Sequence, residues 1–341
     1  MLAGAQGSAN AYLRAPGRRL QVIGIELAFS ADDQSVLNEF VSVFGGLEES
    51  TPSKAHLAVT VEAGGNGPYG SLSISGHDLN DPAAFLLGFA SPTVPMVSLP
   101  SIDKTQRIGM LGDPDPLFLF DSAGCRFRKV SRWQRIVAHV IFLHVLHLRQ
   151  DLLFFHAASV AIKGRGVLLV GPKGSGKSTL SLALAARGHA FLGDETAAYC
   201  RADGKLLPML RPVGIKPGPR SQRIDERVDA LMPSADADNM LRIPVSALLP
   251  ETRAEAVPLS AIIFLTGFGR EPSLLELPAG REELAAMQPL RSSTSETNSM
   301  QVVFEMVRML ASARCYRLES GSPDATAQSM EESLSNVADS Q

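Results

Sequence analysis

The sequence predicts an α/β fold divided into a smaller N-terminal α+β domain, a larger C-terminal domain and a short tail. The length of 341 residues exceeds the usual size of one domain and suggests two. Short runs rich in Val, Ile, Leu and Phe alternate with segments whose apolar residues recur at helical spacing. The pattern changes at Ser131, where a long helical segment follows a region of short strands. We therefore place the domains at residues 1–130 and 131–335, with a flexible tail at 336–341.

The N-terminal domain is predicted to contain one helix among several strands. The helix is expected over residues 31–46, because Val36, Leu37, Phe40 and Phe44 recur at helical spacing before a Gly-Gly stop. Strands are expected at 20–28, 56–63 and 71–76, and further short strands between 80 and 130.

The C-terminal domain begins with the helical segment that follows Ser131. The apolar run 152–162, a Lys-Gly-Arg-Gly turn and the run 167–171 then predict a β-hairpin of two buried strands. Next come a helix at 178–188 with a glycine stop and a short strand at 190–192. Strands and helices therefore alternate in this half of the chain, as in an α/β domain.

Composition and charge exclude several classes of protein. Hydrophobic residues make up 45% and charged residues 20%, and the net charge of −3 provides no global basic field for nucleic acid or acidic lipid. Three widely spaced cysteines form neither a disulfide framework nor a Cys-x-x-Cys metal site. The N-terminal residues do not resemble a signal peptide, and the longest apolar runs are too short for a membrane span, so a cytoplasmic protein is expected.

A glycine-rich segment before the predicted helix at 178–188 is the most informative motif. It matches the phosphate-binding pattern G-x-x-x-x-G-K-[ST] without a gap, and a buried apolar run precedes it. Glycines let the backbone N–H groups point at phosphate oxygens, the lysine neutralises phosphate charge and the serine hydroxyl ligates Mg²⁺. ATP and Mg²⁺ are therefore the expected cofactors, and Lys177 is also a predicted catalytic residue. The predicted nucleotide-binding residues are Gly171, Pro172, Lys173, Gly174, Ser175, Gly176, Lys177, Ser178 and Thr179.

Asp194 and Glu195 form an acidic pair directly after the strand predicted at 190–192. A phosphoryl-transfer enzyme with a phosphate loop needs a carboxylate to hold Mg²⁺ or to orient the nucleophile, whereas the alternative is an exposed acidic turn. His156 lies within the apolar run 152–162, where a structural core histidine is more common than a catalytic one. Considered alone, the residues leave the role of His156 open.

Taken together, residues 154–199 resemble the catalytic domain of HPr kinase/phosphatase and the HPr-kinase-related proteins. That family has a histidine-bearing strand, a hairpin, a phosphate loop with its helix, and an acidic pair after an Arg-Gly-His-like run. The resemblance implies a C-terminal HPr-kinase/PEP-carboxykinase-like core. It also implies that His156 and Asp194 are catalytic beside the γ-phosphate, with Asp194 as the base for the acceptor hydroxyl. Glu195 would then hold Mg²⁺ together with Ser178.

Two features further along the chain refine the resemblance. The run 211–220 is similar to the segment that carries phosphate-facing basic residues in related kinases, so Arg211 and Lys216 are candidate phosphate or acceptor contacts; a solvated basic loop is the alternative. Met209 stands where the bifunctional enzyme has a glutamate tied to dephosphorylation, and Thr179 also replaces a glutamate of that enzyme. These departures predict a kinase without phosphatase activity and an acceptor other than HPr.

The resulting hypothesis is an ATP- and Mg²⁺-dependent kinase that transfers the γ-phosphate to a serine hydroxyl of a protein or peptide. Lasso-peptide kinases of the HPr-kinase-related group phosphorylate a precursor serine, so a ribosomally made precursor peptide is one specific candidate, with the N-terminal domain recognising it. Two alternatives stay open: a small-molecule P-loop phosphotransferase and a non-catalytic nucleotide-sensing module. The expected partners are ATP and a protein or peptide acceptor, without nucleic acid or membrane, and a homo-oligomeric state is left open.

Overall fold

In the computed structural model, residues 18–44, 57–75, 96–121, 124–231, 241–292 and 299–336 are described. Contacts divide the chain into two compact units, the first comprising Met1–Leu148 with Ser293–Ser295 and the second Arg149–Ser292 with Glu296–Gln341. Both units combine helices with a large β-sheet. The chain therefore has a mixed α/β fold, as the sequence predicts.

Within its described residues, the first unit contains eight strands and two helices. The helices are α1 (Gln34–Phe44) and α2 (Trp133–Leu148), so the helical segment after Ser131 lies in the first unit. The strands are β1 (Arg18–Val22), β2 (Ile25–Ala31), β3 (Leu57–Glu62), β4 (Tyr69–Ser75), β5 (Met96–Ile102), β6 (Thr105–Met110), β7 (Pro116–Asp121) and β8 (Gly124–Arg128). They form one sheet in the order β1-β2-β3-β4-β8-β7-β6-β5, in which β2 and β3 are parallel and the other neighbours antiparallel.

The prediction of one strand at 20–28 is wrong, because the chain turns back within it. Val22 pairs with Ile25, and the two residues between them have positive φ angles, 45° at Ile23 and 79° at Gly24. Glycine adopts this left-handed conformation without steric cost, so it allows a tight hairpin between β1 and β2. The helix expected over 31–46 is present as α1, whereas the Gly-Gly stop after it lies outside the described residues.

The second unit contains twelve strands and six helices within the described residues. The strands are β9 (Leu152–Phe155), β10 (Ala158–Ile162), β11 (Arg165–Val170), β12 (Ala190–Gly193), β13 (Ala197–Cys200), β14 (Lys205–Leu207), β15 (Val213–Ile215), β16 (Leu241–Ile243), β17 (Val257–Phe268), β18 (Ser273–Leu277), β19 (Arg291–Ser292) and β20 (Arg314–Ser320). The helices are α3 (Lys177–Ala186), α4 (Gln222–Leu231), α5 (Val245–Leu248), α6 (Arg281–Met287), α7 (Ser299–Ser312) and α8 (Pro323–Asn336).

Ten of these strands form the main sheet, and β15 pairs with β16 separately. One side of the main sheet runs in the order β12-β10-β11-β17-β20, with β17 parallel to both β11 and β20. Residues of β11 alternate between two cores: Val167 and Leu169 pack in one cluster with α3 and α8, and Leu168 and Val170 in another with α7. The sheet is therefore covered by helices on both faces, and α3 is held against β11.

The apolar run 152–162 forms two strands instead of the single strand predicted. Its first half, β9, pairs with β13 and β19, and its second half, β10, pairs with β11 and β12. The hairpin of β10 and β11 is present as predicted, with Lys163 and Gly164 at its turn. His156 lies at the junction between β9 and β10, and its backbone N–H donates to Leu290 O at 2.6 Å.

Candidate functional site

Several strands of the second unit bring their ends to one edge of the main sheet. The strands β11, β12, β17 and β20 end there, and β10, antiparallel to β11, begins there. Loops at the carboxyl ends of parallel strands are the usual place for ligands in α/β folds. At this edge the structure contains a cavity of about 440 Å³.

The loop between β11 and α3 forms one wall of the cavity. Gly174 and Gly176 have φ angles of 87° and 91°, which L side chains rarely adopt. A β-carbon on Gly171 would lie 2.6 Å from Ser175 Oγ and 3.1 Å from Leu265 O, so glycine is also required where the loop leaves the strand. Helix α3 begins at Lys177, and the first N–H groups of a helix have no partner within it. The local geometry is thus suited to binding an anion.

Lys177 is the first residue of α3 and is only 6% exposed. Its Nζ donates hydrogen bonds to Gly171 O at 2.7 Å and Pro172 O at 3.0 Å. Burial, together with the positive charge of Lys216, lowers the pKa of the Lys177 ammonium from its usual value. The side chain is folded back onto the loop, where its charge is available to a phosphate that replaces the two carbonyl contacts.

Asp194 follows β12 and is a buried carboxyl group facing the start of α3. Burial, the largest cause, and the neighbouring Glu195 charge together raise the pKa of Asp194 to about 6. A hydrogen bond from Ser178 and the charge of Arg211 oppose this rise. A carboxylate with a pKa in this range can accept a proton near neutral pH, as a general base must.

Glu195 has a different environment. Burial raises its pKa, but the positive charges of Arg211, Arg242 and other groups outweigh burial and hold the pKa below its usual value. Arg211 Nη1 lies 3.6 Å from Glu195 Oε2. The two adjacent carboxyl groups therefore have pKa values shifted in opposite directions, so a proton binds to Asp194 in preference to Glu195.

His156 completes the charged side of the cavity. The residue is exposed, which differs from a structural core histidine, and its Nδ1 lies 3.1 Å from the backbone oxygen of Glu195. A carbonyl oxygen only accepts, so Nδ1 carries the proton in this contact and Nε2 of the neutral ring is an acceptor. Partial burial of the ring, and the charge of Lys177, lower the pKa of His156.

The structure brings most of the sequence-predicted residues to this cavity. The cavity is lined by His156, Lys173 to Thr179, Asp194, Glu195 and Lys216. The base of the loop is formed by Gly171 and Pro172, and Arg211 lies beside the lining residue Glu195. Ser178 contacts Asp194, although the resemblance paired it with Glu195 as a metal ligand.

Sequence reasoning missed two parts of the lining. Phe268 at the end of β17 contributes an aromatic ring, and the segment Ser320–Pro323 with Thr326 contributes the start of α8. They come from strands far away in the sequence, and only the parallel pairing of β11, β17 and β20 brings them together. The only hint of this in the sequence was that an aromatic residue, Phe268, stands before Gly269 at the end of a buried apolar run.

A divalent cation in this cavity would need oxygen ligands from a bound phosphate group in addition to those from the protein. Within the described residues, no group of three or more His, Cys, Asp or Glu side chains is arranged to hold a metal ion. Ser178, Asp194 and Glu195 provide hydroxyl and carboxylate oxygens, the donors that Mg²⁺ prefers, and phosphate oxygens commonly complete such sites. The donor set therefore fits Mg²⁺ bound together with a phosphate ligand.

Comparison with known proteins identifies no family for this chain. No protein-family model matches it, and no curated protein matches it. Among solved structures, the HPr(Ser) kinase/phosphatase from Coxiella burnetii matches with 14% sequence identity and a TM-score of 0.26. The match covers 54% of this chain and 95% of that chain. This likeness is distant and does not identify an activity. No helix among the described residues has the length and apolar character needed to cross a membrane.

Proposed function

We propose that this chain is an ATP- and Mg²⁺-dependent kinase that transfers the γ-phosphate of ATP to a hydroxyl group. One observation carries the proposal: the buried Asp194, with a pKa raised to about 6, receives a hydrogen bond from Ser178 at the start of α3, next to Lys177. A proton acceptor thus lies beside an anion-binding helix start and a buried ammonium. Phosphate-binding amides, a neutralising cation and a residue that orients the acceptor are recurring parts of phosphoryl-transfer sites.

In the proposed reaction, the backbone N–H groups of residues 174–178 hold the phosphates, and Lys177 exchanges its two carbonyl contacts for phosphate oxygens. The acceptor oxygen bonds to the γ-phosphorus while the bond from that phosphorus to the ADP oxygen breaks. Asp194 takes the proton of the acceptor hydroxyl, and ADP leaves with the electron pair of the broken bond. Bound Mg²⁺, held by Ser178 and Glu195, would neutralise charge that builds up on the phosphate oxygens.

His156 and Arg211 act on Glu195 in this scheme. The imidazole ring contacts the Glu195 backbone, and Arg211 keeps the Glu195 carboxyl ionised. A neutral His156 ring also offers Nε2 to a hydroxyl or phosphate in the cavity. Lys216, which lines the cavity, adds positive charge toward phosphate. We assign all four residues to the site on these contacts.

We further propose that the acceptor is a serine of a protein or peptide, including a ribosomally made precursor peptide. This assignment derives from the resemblance of residues 154–199 to HPr-kinase-related proteins. The replacement of the signature glutamate by Met209 supports a kinase without phosphatase activity. The participation of the first unit in binding the acceptor, and the cytoplasmic location, belong to the same proposal.

The test uses γ-labelled ATP with three acceptor mixtures: serine-containing peptides, the same peptides with alanine in place of serine, and small hydroxyl compounds. We expect label on the serine peptides, located by mass spectrometry, and none on the alanine set. The Lys177→Ala variant should transfer no detectable label, because it removes the buried side-chain cation that lies at the base of the phosphate loop.

The other outcomes separate the alternatives. Label on small compounds alone would identify a small-molecule phosphotransferase. ATP binding without transfer to any acceptor, together with an unchanged cellular phenotype of Asp194→Asn, would favour a nucleotide-sensing module. Transfer at the normal rate by Lys177→Ala would refute the assignment of the phosphate loop.

A further inference from the structure

Phe268 is an aromatic side chain of the cavity that the proposed function leaves without a role. It is the last residue of β17, it lines the cavity, and it is 65% exposed. A β-carbon on Gly176 would lie 3.4 and 3.5 Å from two atoms of its ring. The ring is therefore within contact distance of the phosphate loop, immediately before α3, and offers an apolar face to whatever occupies the cavity.

The backbone around Phe268 is held in place. Val170, the last residue of β11, pairs with Phe264, so β17 continues four residues beyond the end of its neighbour and carries Phe268 past the loop. Phe268 pairs with Ser320 of β20, and Gly269 N donates to Ser320 O at 2.8 Å. A ring on a paired strand end loses little conformational entropy when a ligand packs on it.

The order of the strands separates the two halves of the cavity. His156 and Asp194 adjoin β10 and β12, on one side of β11, whereas Phe268 and Ser320 end β17 and β20, on the other side. In the proposed reaction the γ-phosphate lies near Asp194. The nucleoside then extends across the loop, toward the side where the strand ends contribute Phe268 and Ser320, and no charged side chain, to the cavity lining.

We propose that Phe268 stacks on the nucleobase of the bound nucleoside triphosphate. This proposal rests on the proposed function and deepens it by assigning the base-binding half of the same cavity. Bases stack readily on aromatic side chains, and stacking tolerates different bases because each has a π-face.

The wall beside Phe268 is formed by the start of α8. Thr326 Oγ1 accepts a hydrogen bond from Gly321 N at 3.0 Å and donates to Ser322 O at 2.8 Å. The hydroxyl is thus used to fix the turn. Stacking on Phe268, rather than hydrogen bonds to the edge of the base, is expected to supply most of the base affinity, so ATP and GTP should depend on Phe268 alike.

The experiment compares ATP with inorganic tripolyphosphate, which has the phosphates but no base, by isothermal titration calorimetry in the presence of Mg²⁺. Phe268→Ala should weaken ATP binding by about 5- to 150-fold and leave the tripolyphosphate affinity unchanged. Phe268→Trp should restore ATP binding. Phe304→Ala is a matched control, since Phe304 on α7 is 66% exposed and does not line the cavity.

Each other outcome has a definite meaning. An ATP affinity of Phe268→Ala equal to that of the wild type would overturn the stacking proposal alone. Equal losses for ATP and tripolyphosphate would also overturn it, because Phe268 would then shape the phosphate loop instead of binding the base. A wild-type protein that binds neither ligand would overturn the proposed function, and the stacking proposal with it.

Discussion

Acidic pairs follow a strand in both units of this chain: Asp32 and Asp33 after β2, and Asp194 and Glu195 after β12. In the first pair, each carboxylate accepts a backbone N–H, Asp32 from Ala63 at 2.6 Å and Asp33 from Ser35 at 2.8 Å. In the second pair, the carboxylates contact side chains: Asp194 contacts Ser178, and Glu195 lies near Arg211. The first pair stabilises backbone, whereas the second lies in a cavity.

The difference shows that the contacts of an acidic pair at the end of a strand depend on which groups the neighbouring strands place beside it. Beside β2, the parallel strand β3 ends in a turn whose backbone uses the carboxylate of Asp32. Beside β12, the hairpin of β10 and β11 brings His156 and the glycine-rich loop between β11 and α3 to the same edge. In the second unit the carboxylates therefore line the same cavity as a buried lysine and the start of α3. The comparison can be tested by making similar substitutions in both pairs.

The largest expected effect is on the activity of Asp194→Asn. The change keeps the size of the side chain and its hydrogen bond from Ser178, but it removes the carboxylate that accepts the proton in the proposed reaction. Turnover should fall by about 10²- to 10⁴-fold while ATP still binds. Glu195→Gln should weaken Mg·ATP binding as well as turnover. Single-turnover rates and ATP affinities, measured separately for the two variants, distinguish these roles. If Asp194→Asn reacted at the wild-type rate, Asp194 would not be the catalytic base, and Glu195 would be the next candidate.

Although Asp194→Asn should lower the activity, it should raise the stability of the folded protein at neutral pH. The pKa of Asp194 is raised from 3.8 to about 6 in the folded protein, so the folded state binds more protons than the unfolded state between these values. The free energy of unfolding should therefore fall as pH rises from about 4 to above 6, by about 3 kcal/mol at most. Asp194→Asn lacks this fall and should be more stable than the wild type at pH 7.5, with the difference disappearing near pH 4. Urea denaturation at both pH values measures it, and a difference independent of pH would contradict the buried, ionised Asp194.

A smaller effect is expected at Ser178, which the resemblance assigns to Mg²⁺ and the structure places beside Asp194. Ser178→Ala should raise the Mg²⁺ concentration needed for half-maximal activity by roughly tenfold or more, because a cation loses an oxygen ligand. It should also remove the hydrogen bond that stabilises the Asp194 carboxylate, so that the pH at which activity rises moves upward. Ser181→Ala, in the next turn of α3 and outside the cavity lining, is the control for the Mg²⁺ titration. An unchanged titration for Ser178→Ala would indicate that the metal is held by other groups.

The sequence correctly predicted those elements of the candidate site that are formed by residues close together along the chain. The strand, glycine loop and helix over residues 165–186 were predicted correctly as elements, because apolar runs, glycines and helical periodicity are local signals. The junction at His156 was missed, because the run 152–162 is apolar throughout and only pairing with different strands divides it. Phe268 was missed for a related reason: its position depends on the parallel pairing of β17 with β11.

The smallest effect is expected in the first unit, where Asp33 precedes α1 as its N-cap. Its carboxylate accepts the Ser35 N–H, so Asp33→Ala should lower the stability of this unit by about 1 kcal/mol. Asp33→Asn should restore that stability, because asparagine caps helices about as well as aspartate. Neither variant should change the rate of phosphoryl transfer, whereas the same Asp→Asn change at position 194 should nearly abolish it. Thermal unfolding and single-turnover assays on the three variants provide the comparison. If Asp33→Asn slowed transfer as strongly as Asp194→Asn, charge in the first unit would be required for the reaction, and the division into a structural and a catalytic acidic pair would be wrong.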